Sequence, residues 1–195
     1  ELAGPSVPPA RGEARDLIAG MLDQPRFWPS AHRDDLLDPG TLAAIREAAA
    51  RRRTGMPLQY AIGRAAFRHL MLSVDSRALI PRPETEVLVD LVLRAQQGGR
   101  GIVVDVGTGS GAIALALAAE GDFTEVHATD ISADALALAA SNLSAIPEDR
   151  RHLLRFHDGA LLAPVLGLLG TRSCDTVVSN PPYIARSEAV QLPRL

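Results

Sequence analysis

Apolar positions change their period several times along the chain, and the changes mark out its segments. Over residues 13–22, Leu17, Ile18, Met21 and Leu22 recur at helical spacing. Asp38-Pro39 reads as a helix start, an Asp cap with proline at the first helical position. The helix behind it is expected to reach Arg53 with Leu42, Ile45 and Ala49 on one face, and Gly55-Met56-Pro57 stops it. From 58 to 82 the pattern approaches strict alternation, with Phe67, Leu70, Leu72 and Val74 among polar residues, which predicts a hairpin. After Pro81-Arg82-Pro83 a helix is expected over 84–96, burying Val87, Leu88, Leu91 and Val92 and closed by Gln97-Gly98-Gly99.

The remainder alternates strand and helix. Strands are expected over 102–106, 125–129, 152–156 and 176–179, with an alanine-rich helix over 112–120. A second helix, capped by Ser132, is expected to run to Ala145 and stop at Pro147. Such alternation implies an α/β fold with a parallel sheet covered by helices on both faces. The organisation predicted is a small helical domain over 1–56, a linker with a β-hairpin over 57–82, and an α/β domain over 83–195.

Composition narrows the function. A hydrophobic fraction of 47% excludes a disordered chain. A net charge of −3 supplies no general basic field for nucleic acid, and all 20 basic residues are arginine. One cysteine, Cys174, excludes an internal disulfide and suits a reducing compartment; opening an apolar run, it is expected in the core. The five histidines lack ligand spacing, so no metal is expected. The first fifteen residues lack a signal-peptide core and no apolar run reaches membrane-spanning length, so a cytoplasmic protein without membrane attachment is expected. Phe27 and Trp28 are assigned to the core of the small domain.

Candidate chemistry gathers at strand tips. Asp105-Val106-Gly107-Thr108-Gly109-Ser110-Gly111 leaves the strand over 102–106 and opens a helix. Its glycines permit a tight turn and close approach of a ligand to the backbone. The spacing G-x-G-x-G differs from the G-x-G-x-x-G that seats a pyrophosphate, and Asp105 would attract an ammonium and repel a phosphate. Asp130, about 25 residues later at the next strand tip, is suited to ribose hydroxyls, and Asp158 at the third to an adenine amine. These acids describe a nucleoside pocket with a cationic neighbour, which S-adenosylmethionine fits better than a nicotinamide dinucleotide does.

The fourth strand runs into Asn180-Pro181-Pro182-Tyr183. Two prolines fix φ near −65° and remove two N–H donors, leaving a stiff, acceptor-rich loop. The Asn180 side-chain oxygen and the Pro181 carbonyl could hold both hydrogens of a planar NH₂ group, with Tyr183 walling or stacking on it. Held so, a poorly nucleophilic amide nitrogen could be aimed at a methyl donor by positioning and fixed dipoles, without a strong base. The condition is that the first and fourth strands be neighbours, so that the two turns face each other.

Together these residues resemble the class I S-adenosylmethionine methyltransferases, and within them the protein-glutamine methyltransferases of peptide chain release factors. Gly55-Met56-Pro57-Leu58-Gln59-Tyr60, Phe67 and Leu79-Ile80-Pro81-Arg82-Pro83-Glu84-Thr85-Glu86 also look like that family's linker and domain-opening motifs. The resemblance implies a Rossmann-like methyltransferase sheet with a small N-terminal helical domain, S-adenosyl-L-methionine as cofactor, and release factors as protein partners. It implies N5-methylation of the glutamine in their Gly-Gly-Gln motif. Asp105 and Gly107 to Gly111 would line the methionine part of the cofactor, Asp130 the ribose, and Asp158 with Gly159 the adenine. Asn180 would border the cofactor, and Asn180, Pro181, Pro182 and Tyr183 would hold the glutamine amide, with Asn180, Pro181 and Tyr183 in the catalytic roles. Glycine stands at 159 where some relatives carry a large aromatic. Family members continue well beyond this loop, so the sheet is expected to be truncated after its fourth strand.

Two rival readings share these features. An N6-adenine methyltransferase needs the same loop, since a flipped adenine also presents a planar NH₂; the acidic balance, the lack of a separate basic domain and the linker motifs count against it. A cofactor-binding remnant without activity is the second.

Overall fold

A computed structural model describes residues 10–96, 100–170 and 174–181, and the chain divides into two compact units, one ending at Arg64 and the other beginning at Ala65. The first unit is helical: α1 (Ala10–Leu22), α2 (Trp28–Ala31), α3 (Pro39–Arg53) and α4 (Leu58–Ile62). Asp38 caps α3 as the sequence predicts, its Oδ1 accepting from the Thr41 amide at 2.9 Å. Leu17, Ile45 and Ala48 form the buried centre, with Ile18, Met21 and Leu58 packed around it. Ala48 rather than Ala49 is fully buried. An ion pair between Arg52 and Glu13 joins α3 to α1, and Arg51 donates to the Ala61 carbonyl at 2.8 Å. Phe27 is not a core residue: it is 70% exposed, and Trp28 stacks on His32 at 4.2 Å instead of entering the centre. α2 is a single turn with no buried residue, too short to turn a face inward.

The second unit opens with the predicted hairpin, β1 (Arg64–Phe67) and β2 (Leu70–Ser73), and Phe67, Leu70, Leu72 and Val74 are all buried. At its turn Arg68 adopts φ 53° and sends its guanidinium between two helices. It forms two bonds to Glu120, at 2.8 and 2.7 Å, and one to Asp90 at 2.7 Å, while its amide donates to Glu86 at 2.9 Å. Helix α5 (Glu86–Ala95) follows a 3-10 turn over Pro83–Thr85. Its inward stripe is Val89 and Val92 with Leu88 beside them; Val87 and Leu91, expected inside, are more than half exposed. At about 100° per residue, turning Val89 and Val92 inward rotates positions 87 and 91 away.

The main sheet contains β3 (Ile102–Val106), β4 (Glu125–Asp130), β5 (Leu154–Asp158) and β6 (Thr176–Ser179), all parallel, in the order β5-β4-β3-β6. Side-chain alternation assigns Val103, Val126, Ala128 and Val178 to one core, shared with α5, the hairpin and α6 (Ala112–Glu120). Residues 112–118 are all buried, which explains why α6 is alanine-rich rather than amphipathic; a helix enclosed on every side needs small apolar residues throughout. Helix α7 (Ala133–Ser141) starts at Ser132, whose Oγ accepts from the Ala135 amide, and gives way to a 3-10 turn over Asn142–Ala145. Ile102 and Val104 face the other way, onto Val165 and Leu169 of α8 (Ala163–Leu169), with half-buried Cys174 against them. The sequence pattern does not predict α8: Pro164, Gly167 and Gly170 within so short an apolar stretch obscure its period.

Candidate functional site

The chain runs outward from β3 through β4 to β5, then returns to the opposite side of β3 as β6. The order therefore reverses between β3 and β6, and a crevice opens beyond their carboxyl ends. In the register Val106 lies opposite Ser179, whose Oγ donates to the Val106 carbonyl at 2.8 Å. The next residues, Gly107 and Asn180, leave the sheet side by side. The first and fourth strands of the sheet are thus neighbours, as an amide-holding loop opposite a cofactor loop requires.

The spacing of the glycine loop follows from its backbone. Gly107, Gly109 and Gly111 have φ of 73°, 56° and 84°, so every second residue is left-handed, a conformation open to glycine at little steric penalty. At Gly111 a Cβ would also stand 3.0 Å from Leu115 and 3.1 Å from Ala139. The loop folds over the end of β4, where the Gly107 and Thr108 amides share the Thr129 carbonyl at 2.8 and 3.0 Å. Asp130 accepts from the Gly109 amide at 2.9 Å and from the Ser132 amide at 3.0 Å, using one oxygen for each. Each carboxylate oxygen can accept more than one hydrogen bond, so Asp130 retains capacity for a hydroxyl.

Asp105 lies beneath the loop, fully buried. Its Oδ2 accepts from Thr108 Oγ1 at 2.6 Å and from the Ala114 amide at 3.2 Å. Its Oδ1 is buried without a hydrogen-bond partner among the described residues. Burial pushes its carboxyl up to about 6, against the two hydrogen bonds that lower it, and the Asp130 charge adds to the rise. Asp158 lies opposite Asp130 in the β4–β5 register, and the Gly159 amide donates to the Asp130 carbonyl at 2.9 Å. A side chain at 159 is excluded by the chain itself: φ is 145°, and a Cβ would come 2.7 Å from Pro164.

Two adjoining cavities occupy the crevice. Gly107, Thr108, Gly109, Ser110 and Asn180 line the first, together with the domain-opening residues Leu79 to Arg82 and Thr85. Among the described residues Arg82 is the one charged member of that lining. Pro181, Ser179, Glu84 and Leu88 line the second, and Arg82, Thr85 and Asn180 belong to both. Asn180 Nδ2 donates to Thr85 Oγ1 at 2.9 Å. The structure thus gathers Gly107 to Ser110, Asn180 and Pro181 around one crevice. Asp105, Gly111, Asp130, Asp158 and Gly159 stand behind or beside it at the same sheet end and do not line these cavities. Pro182 and Tyr183 lie outside the described residues.

One supporting residue has no counterpart among the sequence-predicted positions. Asn142, buried after α7, accepts from the Ser73 amide at 2.7 Å and donates to the Ser73 and Ser110 carbonyls at 3.0 Å each. It ties the glycine loop to the hairpin. An asparagine after a helix gives no sequence signal of this, because its partners are 69 and 32 residues away. Among the described residues no group of side chains could hold a metal ion, and no helix is long and apolar enough to cross a membrane.

Residues 83–192 match the family model described as "Methyltransferase small domain", and a methyltransferase is the class that the fold and the crevice define. Residues 1–63 match a second, described as "PrmC N-terminal domain". The release factor glutamine methyltransferase of Bordetella pertussis is 42% identical over 96% of this chain and 67% of its own length. That of Lactococcus lactis is 41% identical over 85% of this chain and 57% of its own. The chain belongs to the release factor glutamine methyltransferase family. It spans roughly three fifths of the length of the relatives it matches, between 57% and 67% for these two. Among solved structures, the ribosomal protein L11 methylase of Lactobacillus delbrueckii subsp. bulgaricus is 26% identical, covering 58% of this chain and 63% of that one, with a TM-score of 0.44. The cofactor of the class is S-adenosylmethionine, and the residues present fit it: the unpartnered buried oxygen of Asp105 calls for a donor, best a cationic one.

Proposed function

We propose that this chain carries the cofactor-binding and amide-recognising parts of an enzyme that methylates the side-chain nitrogen of the glutamine in the Gly-Gly-Gln motif of peptide chain release factors, in the cytoplasm where translation terminates. The observation that carries the reading is the pairing of Val106 with Ser179, from which the glycine loop and the Asn180 loop emerge together at one end of the sheet.

Bound S-adenosylmethionine supplies an electrophilic methyl group on a sulfonium. The work of the protein is to hold a weak nucleophile in line with it. The Asn180 side-chain oxygen and the Pro181 carbonyl each accept one hydrogen of the substrate amide, which fixes the plane of its nitrogen and concentrates density there. Gly107 to Gly111 present backbone rather than side chains to the cofactor, the charge of Asp105 beneath the loop attracts its ammonium, and Asp130 holds its ribose. Asp158 and Gly159 border the adenine. The proton leaves after transfer, so no general base is needed in the crevice.

Incubation with labelled S-adenosylmethionine and a recombinant release factor should place one methyl group on the motif glutamine, read by peptide mass spectrometry. Asn180→Ala should lower turnover by roughly a hundredfold or more, the usual effect of losing one preorganised polar contact to the reacting group. Methyl transfer to DNA or RNA adenine in place of the release factor would defeat the substrate assignment.

A further inference from the structure

Thr85 belongs to a motif that opens the second unit, and nothing in its sequence context marks it for chemistry, yet its surroundings do not suit an ordinary helix-opening threonine. It stands where α5 begins and is 7% exposed, but its hydroxyl makes no capping bond to the helix behind it. With φ −69° and ψ −22° its backbone is already helical, whereas a capping residue takes extended angles to bend its side chain over the following amides. The hydroxyl instead accepts from Asn180 Nδ2 at 2.9 Å, from a residue 95 positions away. Both residues line both cavities.

We infer that Thr85 is the positioning residue for Asn180, holding its amide with Nδ2 turned toward the start of α5. The inference rests on the reading of Asn180 as acceptor for the glutamine amide. The end of β6 sets where the Asn180 backbone lies but not how its amide is turned, because the terminal torsion of asparagine is broad and roughly two-fold. One orientation offers an oxygen to an incoming NH₂ group; the other offers hydrogens and repels it. In the structure the Thr85 oxygen takes Nδ2, and Oδ1 then lies at the opposite end of the amide. The Asn180 amide is in this way held from the residue that precedes α5.

Thr85→Val keeps the shape and removes the hydroxyl; Thr85→Ser keeps the hydroxyl. In the full chain, with a release factor and labelled S-adenosylmethionine, Thr85→Val should lower kcat roughly tenfold to a hundredfold. Cofactor Kd by calorimetry should stay within about twofold, and Thr85→Ser should recover most of the loss. In an Asn180→Ala background, Thr85→Val should have no further effect. Wild-type kcat in Thr85→Val, a serine variant no better than valine, or an undiminished loss in the Asn180→Ala background would each overturn the inference. Full turnover by Asn180→Ala alone would remove the acceptor reading and this inference with it, whereas an inactive Asn180→Ala beside a fully active Thr85→Val would remove this inference only.

Discussion

Replacing Asp105 by asparagine should change how stability depends on pH, in a direction fixed by the burial of the carboxyl. An aspartate in the unfolded chain titrates near 3.8, and Asp105 in the fold titrates near 6 because it is enclosed and close to Asp130. The folded state therefore holds its proton over a range where the unfolded state has released it. The resulting stabilisation is complete below 3.8 and is lost as pH rises through about 6. At about 1.4 kcal/mol per pH unit, the difference amounts to about 3 kcal/mol, most of it crossed between about pH 4 and 7.5. The amide of Asp105→Asn cannot ionise, so the variant should gain on the wild-type chain by about 2–3 kcal/mol over that range, on top of a constant offset from burying an N–H where Oδ1 now lies. Urea unfolding of both proteins at closely spaced pH values, read as the difference of their midpoints, isolates this contribution because other titrating groups cancel. Calorimetry with S-adenosylmethionine supplies the functional half: wild-type affinity should climb through about pH 6 as Asp105 ionises, and the variant should bind more weakly with little pH dependence. A flat stability difference would refute the burial argument, and equal cofactor affinity in the two proteins would refute the role given to the carboxylate.

Other perturbations test the support around the crevice. Asn142→Ala leaves the Ser73 amide and the Ser73 and Ser110 carbonyls without their partner. It should cost about 3 kcal/mol in denaturant titration and weaken cofactor binding through the loosened glycine loop. Arg68→Ala strands Glu120, and the loss of a largely enclosed two-pronged pair should cost about 2–4 kcal/mol; Arg68→Lys should recover less than half, having no planar fork. His157 should titrate below 6.5 by NMR, because burial, then the neighbouring His127 and Arg155, disfavour its charged form. Its folded pKa being depressed, its contribution to stability falls as pH drops below 6.5, opposite in sign to that of Asp105.

Which parts of the molecule are legible in the sequence follows from where each signal resides. Strands β3 and β6 can be read to the residue because both are short apolar runs bounded by turn residues. The glycine loop is legible because a left-handed residue at every second position leaves a mark that few other sequences carry. The hairpin shows in its alternation even though its strands are four residues each. Helix α5 is found by its pattern, but its face is misread: Val87 and Leu91 are as apolar as Val89 and Val92, and only the approach of α6 and the hairpin decides between them. Arg68, Asn142 and Thr85 form a further class. Each is a polar residue whose partner is distant in the chain, and the chemistry that distinguishes it from a solvated neighbour exists only after folding.

The same division explains why the site can be read in outline and not in its support. Groups proposed to meet the ligands sit at strand ends, where a ligand must reach backbone or a short side chain, so glycine, aspartate and proline are nearly forced there. The groups that hold them have no such restriction. Asn180 could be oriented by any buried oxygen on any adjacent element, and threonine at the start of α5 is one solution among many that a sequence could use. A search for positioning residues should therefore begin from donors and acceptors turned away from their own local structure. Thr85, helical in backbone but bonded to the loop after β6, is such a residue.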